Sequence, residues 1–111
     1  MPESPMESLK KSRDYKRVIE NGYREIMETL TIYRLPNQAG RTRVGISVTR
    51  KAGGSVKRNL IKRRIREAIR RNATSLPAGE DMVFVARRGM ETATYLDIER
   101  DIRMTGGGRK A

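Results

Sequence analysis

Hydrophobic and polar positions recur with two periods along this chain, and the changes of period mark out six elements. Ser12 reads as the N-cap of a short helix in which Tyr15, Val18 and Ile19 recur at helical spacing. Gly22 suits a left-handed stop to that helix. Residues 26–35 are rich in β-formers, with Leu30, Ile32 and Arg34 on one face and Tyr33 and Leu35 on the other. Pro36-Asn37-Gln38-Ala39-Gly40 reads as a turn. Alternation resumes over residues 43–49, with Val44, Ile46 and Val48 on one face. Gly53-Gly54-Ser55 breaks the pattern and opens the longest helix, about residues 55–72. After a loop at 75–79, the continuous apolar run Met82-Val83-Phe84-Val85-Ala86 reads as a buried strand. Thr94 begins a last helix. Asp97 supplies its capping-box partner, and Tyr95, Ile98 and Ile102 form its apolar stripe.

The predicted order is α-β-β-α-β-α. If the strands at 43–49 and 82–86 are neighbours, the helix between them makes them parallel. A single domain is expected over residues 9–104. Residues 1–8, with two prolines, read as a flexible tail, and residues 105–111, with Gly106-Gly107-Gly108, as another.

The longest helix changes the picture. Residues 50–71 hold ten of the 25 basic residues: Arg50, Lys51, Lys57, Arg58, Lys62, Arg63, Arg64, Arg66, Arg70 and Arg71. Glu67 is the one acid among them. Projected at about 100° per residue, Ile61, Ile65, Ala68 and Ile69 share one arc, the core face. Arg58, Asn59, Lys62, Arg63 and Arg66 share an adjoining arc, and Lys57, Arg64 and Arg71 lie on the far flank with Leu60. Like charges at i,i+4, such as Arg58, Lys62 and Arg66, cost about 0.2–0.5 kcal/mol per pair. Phosphates would relieve that repulsion, and arginine suits them because its planar fork binds bidentately. Asn59 could donate to a phosphate, a 2′-hydroxyl or a base edge. A solvated charge run and a DNA recognition helix are the competing readings. The strands on either side, with no helix just before it, argue against helix-turn-helix.

Composition supports a polyanion partner. The 111 residues carry a formal charge of +12, an excess that folding alone does not need. There is no cysteine and no histidine. That excludes a thiolate nucleophile, a disulfide framework, a zinc finger and any histidine-based triad. The apolar runs are too short to span a bilayer, and the first residues lack the apolar stretch of a signal peptide. No membrane role is expected, and a cytoplasmic location is the default. Glu80 and Asp81 read as a solvated strand end rather than a metal site. No catalytic residue and no metal ligand set is expected.

The stretch 43–51 followed by Val56-Lys57-Arg58-Asn59-Leu60-Ile61-Lys62-Arg63-Arg64-Ile65-Arg66-Glu67 resembles the bacterial ribonuclease P protein family. The family pattern is a glycine-containing strand, a basic turn, then Val-x-Arg-Asn-x-x-Lys-Arg-x-x-Arg-Glu. Leu9-Lys10, Tyr15-x-x-Val18-Ile19-x-x-Gly22 and Asp81 through Arg87 extend the likeness over about residues 9–103. The chain departs from the family at Gly54-Ser55, at Ile19, in its glycine-rich end, and at Leu60, which stands where the family often has arginine.

The resemblance implies a two-layer α/β (α+β) sandwich with about four strands and a left-handed βαβ crossover. It implies a subunit of the endoribonuclease that removes the 5′ leader of precursor tRNA, with the chemistry on a partner RNA that holds Mg²⁺. It implies two RNA surfaces. The catalytic RNA would meet Arg50, Lys51, Lys57, Arg58, Asn59, Lys62, Arg63 and Arg66. The single-stranded leader would lie in a cleft with Lys11, Tyr15, Lys16, Ile19 and Tyr33, with Arg17 nearby. DNA is not expected as a partner. Ordinary core packing remains open for Tyr15 and Tyr33. A ribosomal or other structural RNA-binding protein without a role in cleavage is the alternative function.

Overall fold

The computed structural model describes residues 7–87 and 93–105. Its elements, in chain order, are β1 (Glu7–Ser8), α1 (Ser12–Asn21), β2 (Tyr23–Ile26), β3 (Leu30–Pro36), β4 (Arg43–Ser47), α2 (Ser55–Arg71), β5 (Glu80–Ala86) and α3 (Tyr95–Met104). Single 3-10 turns at Arg50–Ala52 and Ala73–Ser75 flank α2. The strands form one sheet in the order β1-β4-β5-β3-β2. β4 and β5, joined through α2, pair in parallel as expected, with Val44 opposite Met82 and Ile46 opposite Phe84.

Strand alternation divides the apolar residues between the two faces of the sheet. Leu30, Ile32, Met82 and Phe84 face α2 and α3, and with Ile61, Ile65, Ala68, Ile69, Ile98 and Ile102 they form the main core. On the opposite face Val83 joins Leu9 and Val18, with Tyr15, Tyr33, Leu35 and Val85 packed against them. The mixed α/β sandwich is therefore present, but helices cover both faces, where two layers were expected. α1 takes the second face because Tyr33, Leu35, Val83 and Val85 make that face apolar too.

Several boundaries differ from expectation. Residues 26–35 are not one strand. β2 and β3 form an antiparallel hairpin, with Glu25 opposite Ile32 and Ile26 opposite Thr31. Its turn is closed by the Met27 amide donating to the Leu30 carbonyl (2.7 Å), and Thr29 donates from its amide (2.7 Å) and hydroxyl (2.5 Å) to the buried Asp101 of α3. Glu7 and Ser8, assigned to the N-terminal tail, pair with Arg43 and Val44 as an edge strand. The other residues of both predicted tails, apart from Thr105, lie outside the described residues. Thr105 is buried, and its hydroxyl donates to Glu25.

At α1, Lys11 rather than Ser12 is the N-cap, because the Lys11 carbonyl already accepts from the Asp14 and Tyr15 amides. Gly22 is extended (φ −85°), not left-handed. Close approach explains the glycine instead: a Cβ there would stand 2.5 Å from the Val18 carbonyl oxygen and 2.7 Å from that of Arg34.

The long helix keeps its predicted core face, with Ile61, Ile65, Ala68 and Ile69 buried. It ends at Asn72, whose side-chain amide donates to the Ala68 carbonyl (2.8 Å) and to Glu99 of α3 (3.0 Å). Arg103 of α3 donates to the same Asn72 side chain (2.9 Å), so one buried amide joins the two helices. The predicted capping box of the last helix is present between Thr94 and Asp97.

Candidate nucleic-acid interface

α2 and the turn before it are strongly cationic. Arg50, Lys51, Lys57, Asn59, Arg63 and Arg66 are exposed, and Arg58 and Lys62 are half-buried beside the core face. Among the described residues none of these cations forms an ion pair. Glu67 is taken up by Arg70 (2.8 Å) and Arg71 (3.0 Å) at the helix end. The Arg70 hydrogen bond chiefly holds the Glu67 carboxyl below its usual range. The positive field is thus left uncompensated along the first turns of α2. Leu60, which the projection places on the far flank with Lys57, is 42 % exposed.

The second surface lies on the other side of the sheet. Tyr15 and Ile19 are four residues apart on α1 and so share one face, and Lys11, four residues before Tyr15, is the helix N-cap. Tyr15 is half-buried over β4, where its ring carbon Cζ is 2.5 Å from the place a Gly45 Cβ would occupy. Gly45 is the seat of that ring, and any side chain there would displace it. Tyr33, also half-buried, packs in the same cluster from β3. Each ring packs on the core and keeps an exposed portion. Ile19 is 38 % exposed, and Lys11 and Lys16 are exposed.

Next to Tyr33 and Gly45 on the same sheet face, the register aligns Ile26, Thr31, Val85 and Ser47 in a row. Ile26 is 58 % exposed and the other three are half-buried. The sequence reading missed this row. Counting two residues on from Gly45 and Val83, and two back from Tyr33, would have found three of its four members.

Arg17 does not stand beside the cleft as an available cation. It donates to Asp81 at 2.7 Å and lies 3.6 Å from Asp14. Asp81 is fully buried, not a solvated strand end. It also receives both arms of the Arg43 guanidinium (2.7 and 2.9 Å) and the Asn37 amide (2.8 Å). Burial alone would raise its pKa, but the bonds from Arg43, Arg17 and Asn37 outweigh burial and carry it below the ordinary 3.8. Stability from a depressed carboxylate is present above its unfolded pKa and lost as pH falls through the folded value. Between pH 5 and pH 2 the melting temperature should therefore fall more steeply for the natural chain than for Asp81→Asn. Equal slopes in a thermal melt series would show that Asp81 contributes nothing to acid sensitivity.

Among the described residues no group of three or more acidic side chains could hold a metal ion, and no helix is long and apolar enough to cross a membrane.

A family model described as Ribonuclease P matches residues 4–106. The chain is 39 % identical over 94 residues to a protein of Streptococcus pneumoniae serotype 4 named "Ribonuclease P protein component", covering 85 % of this chain and 76 % of that one. Among solved structures, the ribonuclease P protein from Thermotoga maritima superposes with a TM-score of 0.83 at 26 % identity, covering 95 % of this chain and 99 % of that one. The Staphylococcus aureus ribonuclease P protein gives 0.77 at 30 % identity, covering 86 % and 87 %.

Proposed function

The chain belongs to the ribonuclease P protein family, and from that premise we propose that it holds two RNA segments at once. α2 and its preceding turn bind the catalytic RNA through Arg50, Lys51, Lys57, Arg58, Asn59, Lys62, Arg63 and Arg66. The cleft between α1 and the sheet binds the single-stranded 5′ leader of precursor tRNA through Lys11, Tyr15, Lys16, Ile19 and Tyr33. The observation that carries this reading is the placement of a helix whose first turns carry cations without ion pairs among the described residues on one face of the sheet, and two half-buried tyrosine rings beside exposed Lys11, Lys16 and Ile19 on the other. The cationic face suits a folded RNA, where arginine forks meet phosphates. The cleft suits an unpaired strand, where stacking on an aromatic ring contributes about 1–3 kcal/mol per base.

The work of the protein is then positioning. Holding the leader favours precursor over mature tRNA, and screening phosphates lets metal and substrate approach the RNA. Asp81 and Asp101 are engaged in structural bonds, and among the described residues no group of three or more acidic side chains could hold a metal ion. In this reading Mg²⁺ would be held by the RNA, where it would activate water against the phosphodiester.

Because the chain has no cysteine, one introduced cysteine gives a unique attachment point. A photo-crosslinker at Ser47→Cys, on the cleft floor, should label the leader, and one at Arg63→Cys should label the catalytic RNA. Labelling of catalytic RNA from both positions, with none on the leader, would favour a purely structural RNA-binding protein.

A further inference from the structure

Asp81 and Arg17 lie beside the residues assigned to the cleft, and any role for them there rests on the cleft being the leader's binding site. Three separate segments converge on the Asp81 carboxylate: Arg17 of α1, Arg43 of β4, and Asn37 in the turn after β3. Four donors match the four acceptor sites of an ionised carboxylate. Asn37 also donates to the Arg41 carbonyl (3.0 Å) and accepts from the Ala39 amide (2.9 Å), so the turn is fixed to the same point.

Apart from this cluster, α1 rests on the sheet through the small apolar group of Leu9, Val18 and Val83 with their half-buried neighbours. Apolar burial is non-directional, so beyond the seating of Tyr15 on Gly45 it does not by itself set one rotation or slide of the helix. A charge-assisted bond of 2.7 Å to a buried, rigidly held carboxylate does set one. Arg17 stands two residues after Tyr15 and two before Ile19. Tying its guanidinium to β5 therefore fixes how the cleft-facing stripe of α1 stands over Gly45 and Tyr33.

We propose that Arg17 and Asp81 are positioning residues for the leader cleft, with Arg17 acting as a strut and not as an RNA contact. The competing role for Arg17 is a phosphate contact, and salt separates the two. A phosphate contact on single-stranded RNA contributes about 0.7 to the slope of log K against log salt. A strut contributes nothing to it.

The test assembles the protein with a bacterial ribonuclease P RNA and compares affinity for precursor and mature tRNA. Arg17→Gln, Asp81→Asn, their combination and Arg17→Lys are each measured over a range of salt. Arg17 is 39 % exposed, so Arg17→Gln leaves the core untouched and keeps the test sound if Asp81→Asn folds poorly. The precursor-to-mature affinity ratio should fall about tenfold in each single variant. It should fall little further in the double variant, because both changes release one clamp. Arg17→Lys should recover part of the ratio. The salt slope of the ratio and the affinity for the catalytic RNA should not change. An unchanged ratio in folded Arg17→Gln, or a slope reduced by about 0.7, overturns the proposal. If the natural chain itself does not distinguish precursor from mature tRNA, the cleft is not the leader's site and the strut loses its role with it.

Discussion

Replacing Arg58, Lys62 and Arg66 together by alanine should weaken binding to a bacterial ribonuclease P RNA by roughly 10²–10³-fold at about 0.1 M salt. The figure follows from counterion release: three neutralised phosphates contribute about 2.7 to the slope of log K against log salt. The slope should fall by that amount in the variant, which is the sharper readout because it counts charges rather than total affinity. Folding should be nearly unaffected. The three side chains form no ion pairs among the described residues, and they repel one another at i,i+4. Thermal stability should stay within about 1 kcal/mol of the natural chain, the loss coming from the half-buried stems of Arg58 and Lys62. Loss of binding caused by unfolding, or an unchanged slope, would remove the electrostatic role given to α2.

Phe84→Ala should do the reverse. Phe84 is fully buried in the central strand of the sheet, beneath α2 and α3. Truncating such a residue costs about 3–5 kcal/mol, from lost transfer energy plus the cavity left behind. A domain of this size has about 5–15 kcal/mol in all. The midpoint of thermal unfolding should therefore fall by roughly 10–30 °C. RNA added in excess should restore part of that loss, because a ligand that binds the folded state stabilises it. A shift of only a few degrees would mean that the sheet and α2 do not share one core. Together the two variants separate the platform from the surface it carries.

Elements with local causes could be read from the sequence. The core face of α2 was legible because Ile61, Ile65, Ala68 and Ile69 obey a helical period within one segment. The parallel pairing of β4 and β5 came from the helix between them. The capping box of Thr94 and Asp97 is likewise local. β2 was not legible because its inward residue is Glu25, a carboxylate held by Thr105 from the far end of the chain. The turn before β3 carries no glycine or proline, and it is fixed by Asp101, 72 positions away from Thr29. Asp81 looked like a solvated strand end because its partners, Arg17, Asn37 and Arg43, come from three other segments. Polar residues satisfied by tertiary partners are where sequence patterns give least.

The candidate sites divide in the same way. The cationic stripe of α2 needed only a helical projection, and its residues stand where that projection put them. The cleft needed the relation between α1 and the sheet. The family resemblance implied Lys11, Tyr15, Lys16, Ile19 and Tyr33 but not the neighbouring row of Ser47, Val85, Thr31 and Ile26. Arg17 was grouped with the cleft cations because its charge was visible and its partner was not.

The central claim is that this chain assists an RNA catalyst rather than cutting RNA itself. Its most direct test adds the protein to a bacterial ribonuclease P RNA at a magnesium concentration too low for the RNA alone to act. Cleavage of precursor tRNA at the mature 5′ end should return, and the protein without RNA should cut nothing. Failure to restore cleavage, or cleavage by the RNA-free protein, would contradict that claim.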